Sequence, residues 1–302
     1  MNSKIVIIGC GNVGMSYIYA LINQNTYVNE IVLIDKNIDK VEAEVMDLND
    51  SLAYIDSKIN IRKGNYSDCM DAQIIIITAG FNQKNNQSRL DLLNKNSKIL
   101  KNIVSRVIKN DFNGIFLVAT NPVDVMSYLV YKCSKFDSNR VIGTGTSIDT
   151  SRLKKMLGDN LCINPQNIDC YVLGEHGDSS FISWSNINIG LNNISSLINE
   201  KVKKEYEINV KEQAYKIINK KGATYYAIGV LLVKITKAIL ENENIIMPLS
   251  IYDKDNDVFI SRPCIINNKG IRNLDLLLNQ YELKKYNTSV NILKNEIKKM
   301  QL

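Results

Sequence analysis

Short apolar runs alternate with helix-length amphipathic segments through the first half of the chain, and no other feature constrains the fold as strongly. Lys4 to Ile8, Glu30 to Ile34, Lys58 to Ile61, Gln73 to Thr78 and Gly114 to Val118 have the length and β-branched content of strands. Between them, Val13 to Asn23, Ile38 to Leu52 and Arg89 to Ile108 carry helical periodicity. Strands separated by helices imply crossover units and a parallel sheet. Uninterrupted runs such as Ile74 to Ile77 suit strands covered on both faces.

The second half changes character. Ser147 to Leu157 reads as a helix, Asn167 to Leu173 as a strand, and Val202 to Asn219 and Ala223 to Glu241 as two long helices. Strands follow at Ile245 to Tyr252, Val258 to Ile266 and Gly270 to Asn273, and a helix over Glu282 to Met300 closes the chain. This predicts an α/β protein of two domains: a doubly wound parallel sheet over 1–145 and a mixed α+β domain over 146–302. The four prolines, Pro122, Pro165, Pro248 and Pro263, are expected in loops, and with no Pro-rich linker the domains should share a close interface.

Composition removes several classes. The 302 residues are 45% hydrophobic, enough for a large core without staples. The net charge of +6 is spread along the chain, so no nucleic-acid partner is expected. No apolar run approaches the roughly 20 residues that span a bilayer. The six cysteines lie far apart with no C-x-x-C pair, and a single histidine completes no metal set, which fits free thiols in a reducing cytoplasm. Only 7 of 37 basic residues are Arg, and 39 residues are Asn. Where this chain keeps an Arg, Lys was the easier choice.

Gly9-Cys10-Gly11-Asn12-Val13-Gly14 is a G-x-G-x-x-G that follows a strand and opens a helix. In the dinucleotide-binding Rossmann fold Gly9 would permit the tight turn, Gly11 the approach of a pyrophosphate, and Gly14 close helix packing. The phosphates would sit at the helix N-terminus, where free N–H groups favour negative charge. Asp35 ends the second strand 21 positions after Gly14, where an acid holds ribose hydroxyls and disfavours the extra phosphate of NADP. NAD is the expected cofactor.

His176, the one histidine, lies in Gly174-Glu175-His176-Gly177-Asp178. Reduction of a carbonyl needs a proton donor that titrates near neutrality, which imidazole is. A carboxylate behind the ring would orient it, and a guanidinium fork would hold a 2-oxo acid's own carboxylate. Asp149 and Arg152, three apart on a predicted helix, share a face and supply both groups.

With these stretches stand Thr78-Ala79-Gly80, Ser88 to Leu92, Thr120-Asn121-Pro122-Val123-Asp124, Gly143 to Arg152, Lys221 to Tyr226 and Ile265 to Asn273. In this order the chain resembles the L-lactate and malate dehydrogenase family over nearly its whole length. The resemblance implies that His176 is the general acid/base, Asp149 its orienting carboxylate, and Arg152 the clamp on the substrate carboxylate. It implies that Arg89 polarises the carbonyl, that Asn121 contacts substrate and cofactor ahead of a cis proline, and that Thr224 belongs to the pocket wall. Thr78, Ala79 and Gly80, with Gly9, Gly11, Asn12, Val13, Gly14, Asp35 and Asn121, are the cofactor residues it implies. Gln83 falls where the family senses the group beyond the carbonyl, and a neutral amide there suits pyruvate and L-lactate, whereas malate dehydrogenases carry Arg. A homotetramer or homodimer is implied in the same way.

Two departures stand out. Asn85, Asn86 and Gln87 replace the Pro-Gly-Glu usual in this loop. Lys154 and Asp169 occupy positions where bacterial enzymes activated by fructose 1,6-bisphosphate carry Arg and His, so little activation by that effector is expected. The alternatives are a malate or broader L-2-hydroxy acid dehydrogenase, an NAD-dependent glycoside hydrolase, and a non-catalytic NAD-binding protein. The hydrolase needs a Cys and His metal site, while the only histidine here belongs to the G-E-H-G-D motif. The non-catalytic protein would have no reason to keep His176, Asp149, Arg152 and Arg89 together.

Overall fold

The structure, a computed structural model, describes residues 3–24, 27–56, 58–81 and 89–300. Gln83 and the loop residues Asn85 to Gln87 lie outside the described residues, as does the side chain of Arg89.

Six strands run parallel: β1 (Lys4–Ile8), β2 (Glu30–Ile34), β3 (Asn60–Lys63), β4 (Ile74–Ile77), β5 (Ile115–Val118) and β6 (Val141–Gly143), in the spatial order 3-2-1-4-5-6. This is the doubly wound dinucleotide-binding order. The crossovers are α1 (Asn12–Ile22), α2 (Ile38–Ser51), α3 (Arg89–Ile108) and α4 (Val123–Ser134), followed by α5 (Ser147–Leu161). Successive residues of β1 feed two cores on opposite faces of the sheet. Ile5 and Ile7 pack in one with Tyr17 and Ile18 of α1, and Val6 and Ile8 in the other with Leu100 and Val104 of α3.

Beyond α5 come two small hairpins, β7 (Val172–Leu173) with β8 (Phe181–Ile182) and β9 (Asn188–Ile189) with β10 (Asn192–Asn193), then α6 (Glu200–Lys221) and α7 (Tyr226–Leu240). The chain continues through β11 (Ile245–Asp253), β12 (Val258–Asn267), β13 (Gly270–Asn273) and α8 (Gln280–Lys299). Here β11, β12 and β13 form no sheet of their own. They continue the parallel sheet with antiparallel strands, β11 lying beside β6 where Ser250 faces Gly143. A third core, with Leu153, Leu157, Val172 and Tyr206, lies under α5 and α6.

Several elements differ from the sequence expectation, each for a local reason. The helix α4 has every residue from Val123 to Val130 buried, and a helix covered on all sides has no polar stripe to show a period. The strand expected over Asn167 to Leu173 is reduced to Val172 and Leu173, with a 3-10 turn capped by Asn164 ahead of it. Pro248 and Pro263 lie within strands and face one another. Strand prolines need a position where no ladder bond is lost, and neither residue has a partner on the far side of its strand: β6 meets β11 at Ser250, and β13 meets β12 from Cys264 onward. All six cysteines are free, and among the described residues no helix is long and apolar enough to cross a membrane.

Candidate active site

The carboxyl ends of β1, β2, β4 and β5 converge on one crevice, where ligands of open α/β sheets bind. Gly9 turns the chain with φ +114°, and a Cβ there would lie 2.4 Å from the Ala79 nitrogen. A Cβ on Gly14 would lie 2.3 Å from the Gly9 carbonyl oxygen, which is why α1 starts so close to its strand. At Gly11 a Cβ would meet nothing within 4 Å, so backbone faces open space there. Gly11 is the N-cap of α1, no side chain caps that end, and no acid occupies its first turn. Exposed Asn12 and half-buried Val13 open the helix beside this space.

Asp35, just past β2, accepts the Cys10 N–H at 2.8 Å and the Asn37 N–H at 3.1 Å, tying the acid to the glycine turn. Thr78 donates its hydroxyl to the Gly9 carbonyl at 2.6 Å. An open anion-accepting helix end, an acid at the end of β2 tied to the glycine turn and backbone packed by Ala79 and Gly80 fit a dinucleotide with an unphosphorylated ribose.

Next to this crevice a cavity of about 270 Å³ is lined by Asn121, Asp149, Arg152 and His176, with apolar wall from Leu90, Leu92, Leu93 and Pro122. The Asn121–Pro122 peptide is cis. Asp149 on α5 serves two partners: its Oδ2 lies 2.7 Å from His176 Nδ1 and its Oδ1 accepts from an Arg152 Nη1 at 2.7 Å. Burial would neutralise both members of the His176–Asp149 pair, yet their mutual attraction prevails: the histidine is raised and the aspartate held below their ordinary values. With Nδ1 committed to Asp149, Nε2 is the ring atom left for a substrate.

The geometry also brings in residues without an expected role. Asp124 in the first turn of α4 is fully buried, its Oδ2 accepting the His176 backbone N–H at 2.7 Å and its Oδ1 the Ser250 hydroxyl at 2.5 Å. Burial pushes this carboxyl up to about 7, against those two bonds, which favour the charged form. An acid inside the apolar run Val123-Asp124-Val125-Met126 was the available signal. Lys211 and Tyr215 of α6 hold the Asp178 carbonyl and carboxylate, pinning the far side of the histidine loop. Thr224, half-buried between α6 and α7, does not line the cavity, and Arg89 opens α3 beside the Leu90 wall. Among the described residues no group of His, Cys, Asp and Glu is placed to hold a metal ion.

Comparisons with known proteins agree with this geometry. Residues 3–143 match the lactate/malate dehydrogenase NAD binding domain and residues 146–301 the lactate/malate dehydrogenase alpha/beta C-terminal domain. The chain is 44% identical over 311 residues to an L-lactate dehydrogenase of Borrelia hermsii, covering 99% of this chain and 98% of that protein. It is 44% identical over 309 residues to an L-lactate dehydrogenase of Lactococcus lactis subsp. cremoris, with the same coverage. A lactate dehydrogenase from a deep-sea metagenome library superposes with a TM-score of 0.95 at 44% identity, over 100% of this chain and 99% of that one. The ligand-bound minor L-lactate dehydrogenase of Enterococcus mundtii gives 0.95 at 39% identity, again over 100% and 99%. Both halves of the chain, the crevice and the histidine cavity thus point one way: this chain belongs to the lactate/malate dehydrogenase family.

Proposed function

We propose that the protein is an NAD-dependent L-lactate dehydrogenase that reduces pyruvate to L-lactate and runs the reverse reaction. The observation that carries this reading is the Arg152–Asp149–His176 chain of contacts lining a cavity that Asn121, from the loop after β5, also lines. Bound NADH supplies a hydride to the carbonyl carbon. Arg152 pairs with the substrate carboxylate, and protonated His176 gives its Nε2 proton to the carbonyl oxygen as the hydride arrives. Asp149 stabilises the imidazolium before the transfer and orients the neutral ring afterwards. In this reading Arg89 adds positive charge to the polarised oxygen and Asn121 lies between substrate and nicotinamide, while Thr224, outside the cavity lining, has no part in it. NADH oxidation on adding pyruvate tests the whole reading, and its absence would overturn it.

The choice of pyruvate over oxaloacetate rests on Gln83. A second carboxylate would meet only a neutral amide, and an unpaired charge in a poorly hydrated pocket is costly. Gln83→Arg is expected to raise the oxaloacetate-to-pyruvate ratio of kcat/KM by about one to two decades, the worth of a charge-assisted hydrogen bond at about 1.5–3 kcal/mol. A ratio that stays within about threefold would remove Gln83 from the specificity site and reopen the malate reading.

NADH is expected to outperform NADPH by at least about tenfold in kcat/KM, because the Asp35 carboxylate would face the extra phosphate with like charge. Comparable values would show that Asp35 does not read the ribose.

We further propose a homo-oligomer, a tetramer or dimer, in the cytoplasm. Supporting assembly, α1 and α7 pack together at Ser16 and Gly229 and leave Tyr19, Tyr226 and Val230 exposed. A monomeric mass in light scattering would contradict it. Six free thiols support the reducing compartment.

A further inference from the structure

Asn96 lies mid-way along α3 and is fully buried. Asn is a poor choice inside a helix, where its amide competes for backbone. Here the amide is used elsewhere. Its Oδ1 accepts the Phe81 N–H at 2.8 Å, and its Nδ2 donates to the Asn121 carbonyl at 2.8 Å and to the Phe81 carbonyl at 3.3 Å. One N–H faces the oxygen and two carbonyls face the NH₂, so only this orientation of the amide satisfies all three.

The two loops so joined carry different parts of the site. The loop after β4 carries Thr78 and Ala79 against the glycine turn and includes Phe81. The loop after β5 carries Asn121, and the helix it starts carries Asp124, which holds the His176 backbone. Thr120 adds a second tie, donating its hydroxyl to the Ala79 carbonyl at 2.8 Å. Gly80 is squeezed between the two ties: a Cβ there would lie 2.7 Å from the Thr120 methyl and 3.3 Å from Asn96 Oδ1. A continuous path of contacts therefore runs from the cofactor crevice through Asn96 to Asn121, Asp124 and His176.

We propose that Asn96 is a positioning residue of this active site, setting the spacing between the cofactor crevice and the shelf that carries Asn121 and His176. The inference rests on the dehydrogenase reading and goes beyond it, since Asn96 touches neither the cavity nor the glycine turn. Its effect falls on hydride transfer, because a displacement of about 1 Å between reacting atoms costs about a hundredfold in rate. Cofactor binding changes less than turnover, because the glycine turn keeps anchors that do not involve Asn96: Asp35 on the Cys10 N–H, and the Thr78 and Ala79 N–H groups on the Ile8 carbonyl.

Asn96→Ala is expected to lower kcat for pyruvate about a hundredfold while the Kd for NADH changes less than threefold. NADH deuterated at the transferred position should show a larger isotope effect on kcat in this variant than in the wild type, which loss of folded enzyme alone would not produce. Asn96→Asp keeps the shape. Ionised, it sets carboxylate oxygens against two carbonyls; protonated, it regains one donor. Burial among carbonyls raises the pKa of such a group, so the rate of Asn96→Asp relative to wild type should rise as pH falls from 8 to 6. A kcat within threefold of wild type in Asn96→Ala, or a pH-independent ratio for Asn96→Asp, would overturn the proposal. If Asn96→Ala does not fold, the Asn96→Asp ratio decides alone. A wild-type protein that never oxidises NADH with pyruvate refutes the dehydrogenase reading itself, whereas the Asn96 outcomes are read only as differences from an active wild type.

Discussion

His176→Ala should lose about 10²- to 10⁴-fold in pyruvate turnover, the usual worth of a placed general acid, and still bind NADH. The loss follows because the ring is the cavity's only imidazole and its Nδ1 is already spoken for by Asp149, leaving Nε2 as the sole proton carrier. Retained binding follows because the glycine turn, Asp35 and Thr78 are held by bonds to one another, while among the described residues the side chain removed at His176 bonds only to Asp149. Fluorescence titration of NADH beside steady-state turnover separates the two. More than about a tenth of the wild-type rate would be too much for a protein lacking its acid. Loss of NADH affinity along with turnover would show instead that the loop from Gly174 to Asp178 supports the crevice.

Asp149→Asn should cost about 10²- to 10⁴-fold in kcat/KM and move the pH profile. Removing one partner of a buried charged pair costs about 3–5 kcal/mol, and Asp149 has two dependants, His176 and Arg152. The direction on the pH axis follows from the histidine. Pyruvate reduction needs the protonated ring, so its rate falls as pH rises through the His176 pKa. Burial lowers that pKa and the Asp149 charge raises it, with a net rise. Without that charge, burial and Arg152 are opposed only by the Asp124 carboxylate, the pKa drops, and the falling limb of pyruvate reduction shifts to lower pH. Lactate oxidation needs the neutral ring, so its rising limb shifts to lower pH as well. Limbs that stay in place in both directions would mean that another group sets the histidine.

The parts of the site that the sequence shows are those where one residue type has no substitute. Gly9 and Gly14 must lack a Cβ, so the turn announces itself as spaced glycines before any fold is known. Asp149 and Arg152 need only a helix to share a face, and they hydrogen-bond as that spacing requires. Asn96 is the opposite case. In Leu93-Asn94-Lys95-Asn96-Ser97 two asparagines look alike, and only the tertiary approach of Phe81 and Asn121 distinguishes them. Asp124 gives a partial signal, an acid in an apolar run, but its partners lie 52 and 126 residues away. The same reasoning covers the missed elements: the first two turns of α4 are buried all round and β6 is three residues long, so neither carries a period long enough to read.

The strand pairing of Ser250 with Gly143 also decides how the polypeptide tolerates being divided. The junction between 145 and 146 looks like a natural place to cut, yet β11 from the second half completes the sheet edge that β6 would otherwise leave bare. A gene split there would yield two fragments, each with a bare strand edge, β6 still paired to β5 and β11 to β12, that is a template for other chains. Produced separately, the fragments should aggregate; produced together, they should dock edge to edge and restore the enzyme, with β6 and β11 acting as the adhesive seam.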